Sequence, residues 1–285
     1  MPIPCQDEDA ILEVPFLDGV IDPKRRRFAA ENAAIVVAHP DDETIGCGAL
    51  LERMRGATVI LVTDGAPRNL ADAHAYGFAS AADYGAQRLS EVRAALAIAG
   101  VPEDRLLTLA LSDQEAAHKL VDLTQQVAEI CASRTINVLL THAYEGGHPD
   151  HDATAFAVHA AARLLARRQH QVLIVEMPFY RLGEETWLFQ QFRPDEGNLQ
   201  ITIPLDEKEK DIKSRMVAAH RTQKTTLAPF ALDCEKFRPA PAYNFRELPN
   251  DGRLLYEGYD WGMSGERWRE LTRSALDALG FGGRA

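Results

Sequence analysis

From residue 33 the chain alternates short apolar runs with longer amphipathic ones. Ala33–Ala38 (AAIVVA), Thr58–Thr63 (TVILVT), Leu106–Leu111, Asn137–Thr141 (NVLLT) and Val172–Val175 are continuously apolar rather than alternating. Such runs are strands buried on both faces, and they belong to parallel sheets covered by helices on either side. Between them lie helical stripes: Leu89, Val92, Leu96 and Ala99, then Leu120, Leu123, Val127 and Ile130, then the Ala- and Leu-rich stretch Asp152–Arg167. This alternation predicts an α/β fold, an open, mostly parallel, Rossmann-like sheet with helices on both faces and right-handed crossovers. Ligands of such sheets bind beyond the carboxyl ends of the strands, where the strand order reverses.

The last third reads differently. Asn198–Leu205 alternates like an edge or antiparallel strand. Asp206–His220 starts as a helix, with Asp206 as N-cap, Glu209 three residues on, and a stripe of Ile212, Met216 and Ala219. Residues 221–262 carry four prolines and predict loops and short strands over the sheet. Pro67–Gly85 is longer than an ordinary connection, and its aromatics suit a lid over a sugar or an idle surface excursion.

Composition narrows the function classes. The 285 residues carry 31 Lys+Arg against 42 Asp+Glu, a net charge of −11, which argues against nucleic acid or an anionic membrane as partner. Lys24–Arg27 is the densest basic run and reads as a solvated turn. The acidic N-terminus lacks the order of a signal peptide. Cys5, Cys47, Cys131 and Cys234 are scattered, which suits idle thiols in a reducing cytoplasm.

Two strand ends concentrate ionisable groups. His39-Pro40-Asp41-Asp42-Glu43 follows the first strand, and His142 opens the run to His148-Pro149-Asp150-His151-Asp152 after the fourth. Titratable groups crowded behind an apolar strand are costly unless solvated, paired or metal-bound. A catalytic zinc site takes three protein ligands and leaves a place for water. His39, one of Asp41 and Asp42, and one of His148 and His151 would supply them, with the spare carboxylate as general base on water whose pKa the ion brings to about 7. Gly46 and Gly48 in the helix that follows suit a close approach of backbone or substrate. A metallophosphatase would need two ions and more ligands. A non-catalytic sugar binder would have lost a ligand or the base.

AHPDDE (Ala38–Glu43) followed by GHPDH (Gly147–His151) resembles the signature of the PIG-L/LmbE-like zinc N-deacetylases. Arg88-x-x-Glu91 and Ala219-His220-Arg221-Thr222-Gln223 extend the likeness, which covers about residues 33–225. The resemblance implies one zinc per chain, held by His39, Asp42 and His151; ferrous iron suits the same set. It makes Asp41 the general base, His148 the protonated group facing the oxyanion, and Asp150 the carboxylate that orients His148. Arg88, Tyr144 and His220 become candidate substrate contacts. Arg88 competes with a plain Arg88–Glu91 pair, Tyr144 with a packing role, and His220 with a core histidine. Gly146 stands where some members carry a Tyr, and Thr63-Asp64-Gly65-Ala66 replaces a T-x-G-E loop, so the substrate is left open.

The chain is thus expected to be a single catalytic domain, with an α/β unit over 33–225 and a C-terminal extension shaping the pocket. Its expected activity is cytoplasmic hydrolysis of the N-acetyl group of an N-acetylglucosamine-type conjugate. The alternative is deacylation of another N-acyl metabolite or antibiotic intermediate. The expected partner is a small N-acetylated sugar or amide, with no nucleic acid and no membrane, and self-association is left open.

Overall fold

The computed structural model describes residues 15–194 and 199–282. The acidic N-terminal stretch, Cys5 and Asn198 lie outside the described residues. Seven strands form the main sheet: β1 (Ala33–Val37), β2 (Thr58–Thr63), β3 (Leu106–Leu111), β4 (Val138–His142), β5 (Leu173–Met177), β6 (Ile201–Pro204) and β7 (Cys234–Pro239). Their order across the sheet is 6-7-5-4-1-2-3. Strands β1 to β5 are parallel, whereas β7 runs antiparallel to β5 and β6 antiparallel to β7.

The apolar runs have the predicted physical origin. Ala34, Val36, Ile60, Val62 and Leu139 face one core. Ala33, Ile35, Val37, Val59, Leu61, Val138 and Leu140 face the other. The first core is closed by α3 (Leu120–Arg134), α4 (Pro149–Ala166) and α6 (Gly265–Ala278). The second is closed by α1 (Asp42–Arg53), α2 (Ala81–Ile98) and α5 (Glu207–Ala219). Strand β3 departs from the reading: it is half-exposed because it is the sheet's edge. Helix α5 begins as predicted, Asp206 and Glu209 forming a reciprocal capping box at 2.9 and 3.0 Å. Among the described residues no helix is long and apolar enough to cross a membrane.

Strand order reverses between β1 and β4, the two strands followed by the histidine–aspartate clusters. Both strands end on the same side of the sheet, so clusters a hundred residues apart meet at the switch point.

Helix α1 is broken one turn in. Cys47 has φ −149° and ψ 28°, outside helical geometry. The break frees backbone groups inside the core, where unmet polar atoms are costly. Two residues of the last third satisfy them. Glu235 accepts from Ala49 N at 2.8 Å and Leu50 N at 3.0 Å. Lys213 Nζ donates to the Ile45 carbonyl at 2.8 Å and to Glu235 at 2.9 Å. Of the helix's two glycines Gly46 is the more tightly packed: a Cβ there would lie 2.7 Å from Met177 Sδ. The close approach expected at this turn is made by core side chains.

Candidate active site

Three donors converge at the switch point. His39 Nδ1 lies 3.2 Å from His151 Nε2, and Asp42 turns one oxygen to each imidazole at 3.4 Å. All three residues are buried. A tetrahedral ion with bonds of about 2.0–2.1 Å sets its donors about 3.3 Å apart, which these separations match. Burial pushes the Asp42 carboxyl up, but the imidazoles of His151 and His142 outweigh it and hold it well below the usual range. An ionised carboxylate and imidazole lone pairs aimed at one point fit a divalent ion.

The other nitrogen of His39 meets a second set of carboxylates. Its Nε2 is 3.2 Å from Asp113 and 3.5 Å from Asp150. A carboxylate behind a ligating imidazole holds the proton on the far nitrogen and leaves the near lone pair free. Burial would lower the pKa of His39, yet Asp113, then Asp150 and Asp42, raise it well above the usual value. The same excess of carboxylate favours a cation at Nδ1. Asp113 stands just beyond β3 and escaped the sequence reading, although it follows a recognised strand.

Asp41 sits at the N-cap of α1 with φ +148°, a sparsely populated conformation for a residue with a side chain. Its carboxylate makes no cap hydrogen bond and instead accepts from Arg88 Nη2 at 2.8 Å. Burial raises its pKa to about 7, against the pull of Arg88. A carboxylate with that pKa suits proton transfer near neutral pH.

Several expected roles need correction. Arg88 is buried, and its guanidinium is engaged with Asp41 and with the carbonyls of Pro40 and Gly65. It therefore positions Asp41 while also lining the cavity. Glu91, its expected partner in the plain ion pair, accepts from Thr222 instead. The Asp150 carboxylate does not hydrogen-bond His148; it accepts from Gln114 N at 2.6 Å and Ala116 N at 3.1 Å. His148 is held by the backbone, its Nδ1 accepting from Asp150 N at 3.2 Å as the cap of α4. An Nδ1 that accepts leaves the proton on Nε2. Burial, then the charge of His39, keeps this ring neutral rather than protonated. Tyr144 lies in the core: its hydroxyl donates to the Glu247 carbonyl at 2.8 Å and accepts from Trp268 Nε1 at 2.7 Å. His220 is buried 3.1 Å from Thr44 Oγ1 and does not line the cavity. His142 accepts from Ala38 N at 2.9 Å, tying β4 to β1, and stacks on His151.

The donors open into a cavity of about 250 Å³. Asp41, Arg88, Asp113 and His148 line one part, and Tyr180, Phe230 and Trp261 line another. The long 67–85 segment contributes Pro67 and Asp72, whereas its Tyr84 is buried and bonded to Gln223 at 2.6 Å. Gly147 explains how Tyr180 comes so near: a Cβ there would collide with the Tyr180 carbonyl oxygen.

The fold is shared with solved deacetylases. The A40926 pseudoaglycone deacetylase Dbv21 superposes with a TM-score of 0.57 at 20% identity, covering 75% of this chain and 99% of its own. N,N'-diacetylchitobiose deacetylase from Pyrococcus horikoshii gives 0.55 at 16% identity, covering 83% and 95%. The zinc-inhibited form of teicoplanin deacetylase Orf2 gives 0.54 at 17%, covering 72% and 97%. No curated protein matches the chain. Residues 34–162 match the family model described as PIG-L: GlcNAc-PI de-N-acetylase. That span holds both histidine–aspartate clusters and both strands that bring them together, so the similarity to the PIG-L family model lies over the site itself.

Proposed function

We propose that the chain hydrolyses the N-acetyl group of an N-acetylglucosamine-type conjugate in a metal-dependent reaction, releasing acetate and a free amine. The observation that carries this reading is the donor set of His39, Asp42 and His151 at tetrahedral spacing beside a carboxylate outside that set, Asp41, held by Arg88. Those three residues would hold one divalent ion, zinc or ferrous iron. When bound, such an ion polarises an acyl carbonyl and makes water acidic enough to yield hydroxide near neutral pH.

Asp41 takes the proton of the attacking water, and Arg88 fixes the carboxylate that receives it. His148 presents Nε2–H towards the cavity and donates to the oxygen that gains charge as the carbonyl carbon becomes tetrahedral. Asp113 and Asp150 orient His39. The amine then leaves with the proton that Asp41 accepted. The described thiols, buried Cys47 and Cys131 and half-buried Cys234, are unpaired, which supports a reducing, cytoplasmic setting. The residues beyond 225 supply Phe230 and Trp261 to the cavity, which supports one catalytic domain with a pocket-shaping extension.

Amine release from N-acetylglucosamine conjugates, measured with zinc and with ferrous iron, tests the reading. Asp41→Asn should lower turnover by about 10²–10⁴-fold while bound metal is retained. Failure of the metal-loaded protein to release amine from any N-acetylated sugar would overturn the proposal.

A further inference from the structure

Aromatic rings form a continuous circuit at one wall of the cavity. It starts at His151, whose ring is 5.2 Å from Tyr180. Tyr180 stacks on Trp187 at 5.5 Å and 24°. Trp187 meets Tyr259 edge-on at 5.7 Å, and Tyr259 stacks on Trp261 at 4.8 Å and 18°. Trp261 closes the circuit on His148 at 4.7 Å. The wall thus runs from the reacting groups out to Tyr259, which is 46% exposed. None of its four aromatics falls inside the family-matched span.

Aromatic surface of this kind is seldom left half-exposed without a use, and its flat faces suit a ring with C–H or π faces. The cavity itself, about 250 Å³, is smaller than the roughly 300–1,000 Å³ of usual ligand pockets, so it takes the N-acetylated sugar and leaves the rest of a larger substrate outside. The charge beside the wall is predominantly acidic, with Arg181, Arg193 and Arg253 at its margins. Residues 183–192 and 254–264 contain no Lys or Arg, while Glu184, Glu185, Glu257 and Asp260 are exposed there.

We propose that Tyr180, Trp187, Tyr259 and Trp261 form a subsite for an uncharged ring, sugar or aryl, joined to the N-acetylated sugar, and that the acidic rim disfavours phosphate-bearing conjugates. This proposal rests on the deacetylase reading above. It sets this chain apart from an enzyme built for a phosphoinositide conjugate.

The test compares kcat/KM for N-acetylglucosamine, N,N'-diacetylchitobiose, 4-nitrophenyl N-acetyl-β-glucosaminide and N-acetylglucosamine 1-phosphate. The two ring-bearing conjugates should exceed the monosaccharide about 10-fold, and the larger of the two values tells sugar from aryl. The phosphate should fall about 10-fold below it. Tyr259→Ala, at an exposed position, should cut the ring-bearing values about 3- to 10-fold through KM, and Tyr259→Phe should restore them. Binding is read separately as disaccharide-induced tryptophan quenching in Asp41→Asn protein, where Trp187 and Trp261 report and buried Trp268 does not. Equal kcat/KM for all four compounds, a preference for the phosphate, or indifference to Tyr259→Ala would overturn the subsite. If no compound releases amine, the deacetylase reading fails, and the quenching decides the subsite alone. Saturable quenching weakened by Tyr259→Ala upholds it; no quenching removes it.

Discussion

Within residues 34–162 most groups around the cavity are ionisable, buried and bonded to one another; beyond residue 162 its largest side chains are aromatic, several of them partly exposed and stacked. The first region brings His39, Asp41, Asp42, Asp113 and His148 to one cavity. The second adds Tyr180, Phe230 and Trp261 to another part of the lining. The difference teaches where each kind of selection acts. Buried carboxylates and imidazoles fix one another's protonation, so few substitutions among them keep the chemistry. Stacked rings hold a ligand by area and shape, so they can change one at a time. The regions are also joined mechanically, since Lys213 and Glu235 complete the broken helix that carries Asp42.

The strongest way to break this comparison is at that joint. Lys213→Met leaves Glu235 as an unpaired buried charge and should cost about 3–5 kcal/mol in denaturant unfolding. Lys213→Met/Glu235→Leu should not recover wild-type stability, because Ala49 N and Leu50 N stay without an acceptor. Full recovery would reduce the pair to an ion pair with no capping role. Next in size, Asp113→Asn should weaken metal binding about 10–100-fold in a chelator competition, with the fold retained. An unchanged affinity would show that Asp113 does not orient His39.

Tyr144→Phe sharpens the comparison from the other side. Losing the hydroxyl leaves Trp268 Nε1 and the Glu247 carbonyl unpaired, a loss of about 1–3 kcal/mol, with turnover per folded molecule unchanged. A fall in turnover at constant stability would return Tyr144 to the substrate. A pH-dependent effect concerns Glu145, whose pKa burial raises to about 8. Its folded pKa exceeds the ordinary 4.5, so it stabilises the fold most below 4.5, and that contribution is lost as pH rises through about 8. Glu145→Gln should therefore flatten the decline of Tm across that window, leaving the part due to Asp152, whose pKa is raised to about 7. An unaltered slope would remove Glu145 from the titration.

What was legible in the sequence follows from range. The parallel strands were readable because burial on both faces leaves an unbroken apolar run, and α5 because its capping box is local. The edge position of β3 was not, since strand order lies in tertiary pairing. The C-terminal helix α6, with Ser264 as cap, was also left unread. Within the site, the two clusters stood out because each is contiguous. Arg88 suggested a pair with Glu91 three residues on, whereas its partner Asp41 is 47 residues away. Asp113 and Trp261 reach the cavity from separate elements, and no local pattern joins them to the histidines.

The break at Cys47 bears on the order in which the molecule assembles. The bonds that complete it span 168 residues to Lys213 and 186 to Glu235, among the longest separations in the chain. Chains emerge from their N-terminus and fold as they grow, and distant contacts form late. A nascent chain stopped before residue 235 therefore has His39, Asp42 and His151 already made, but no finished α1 on which to set Asp42.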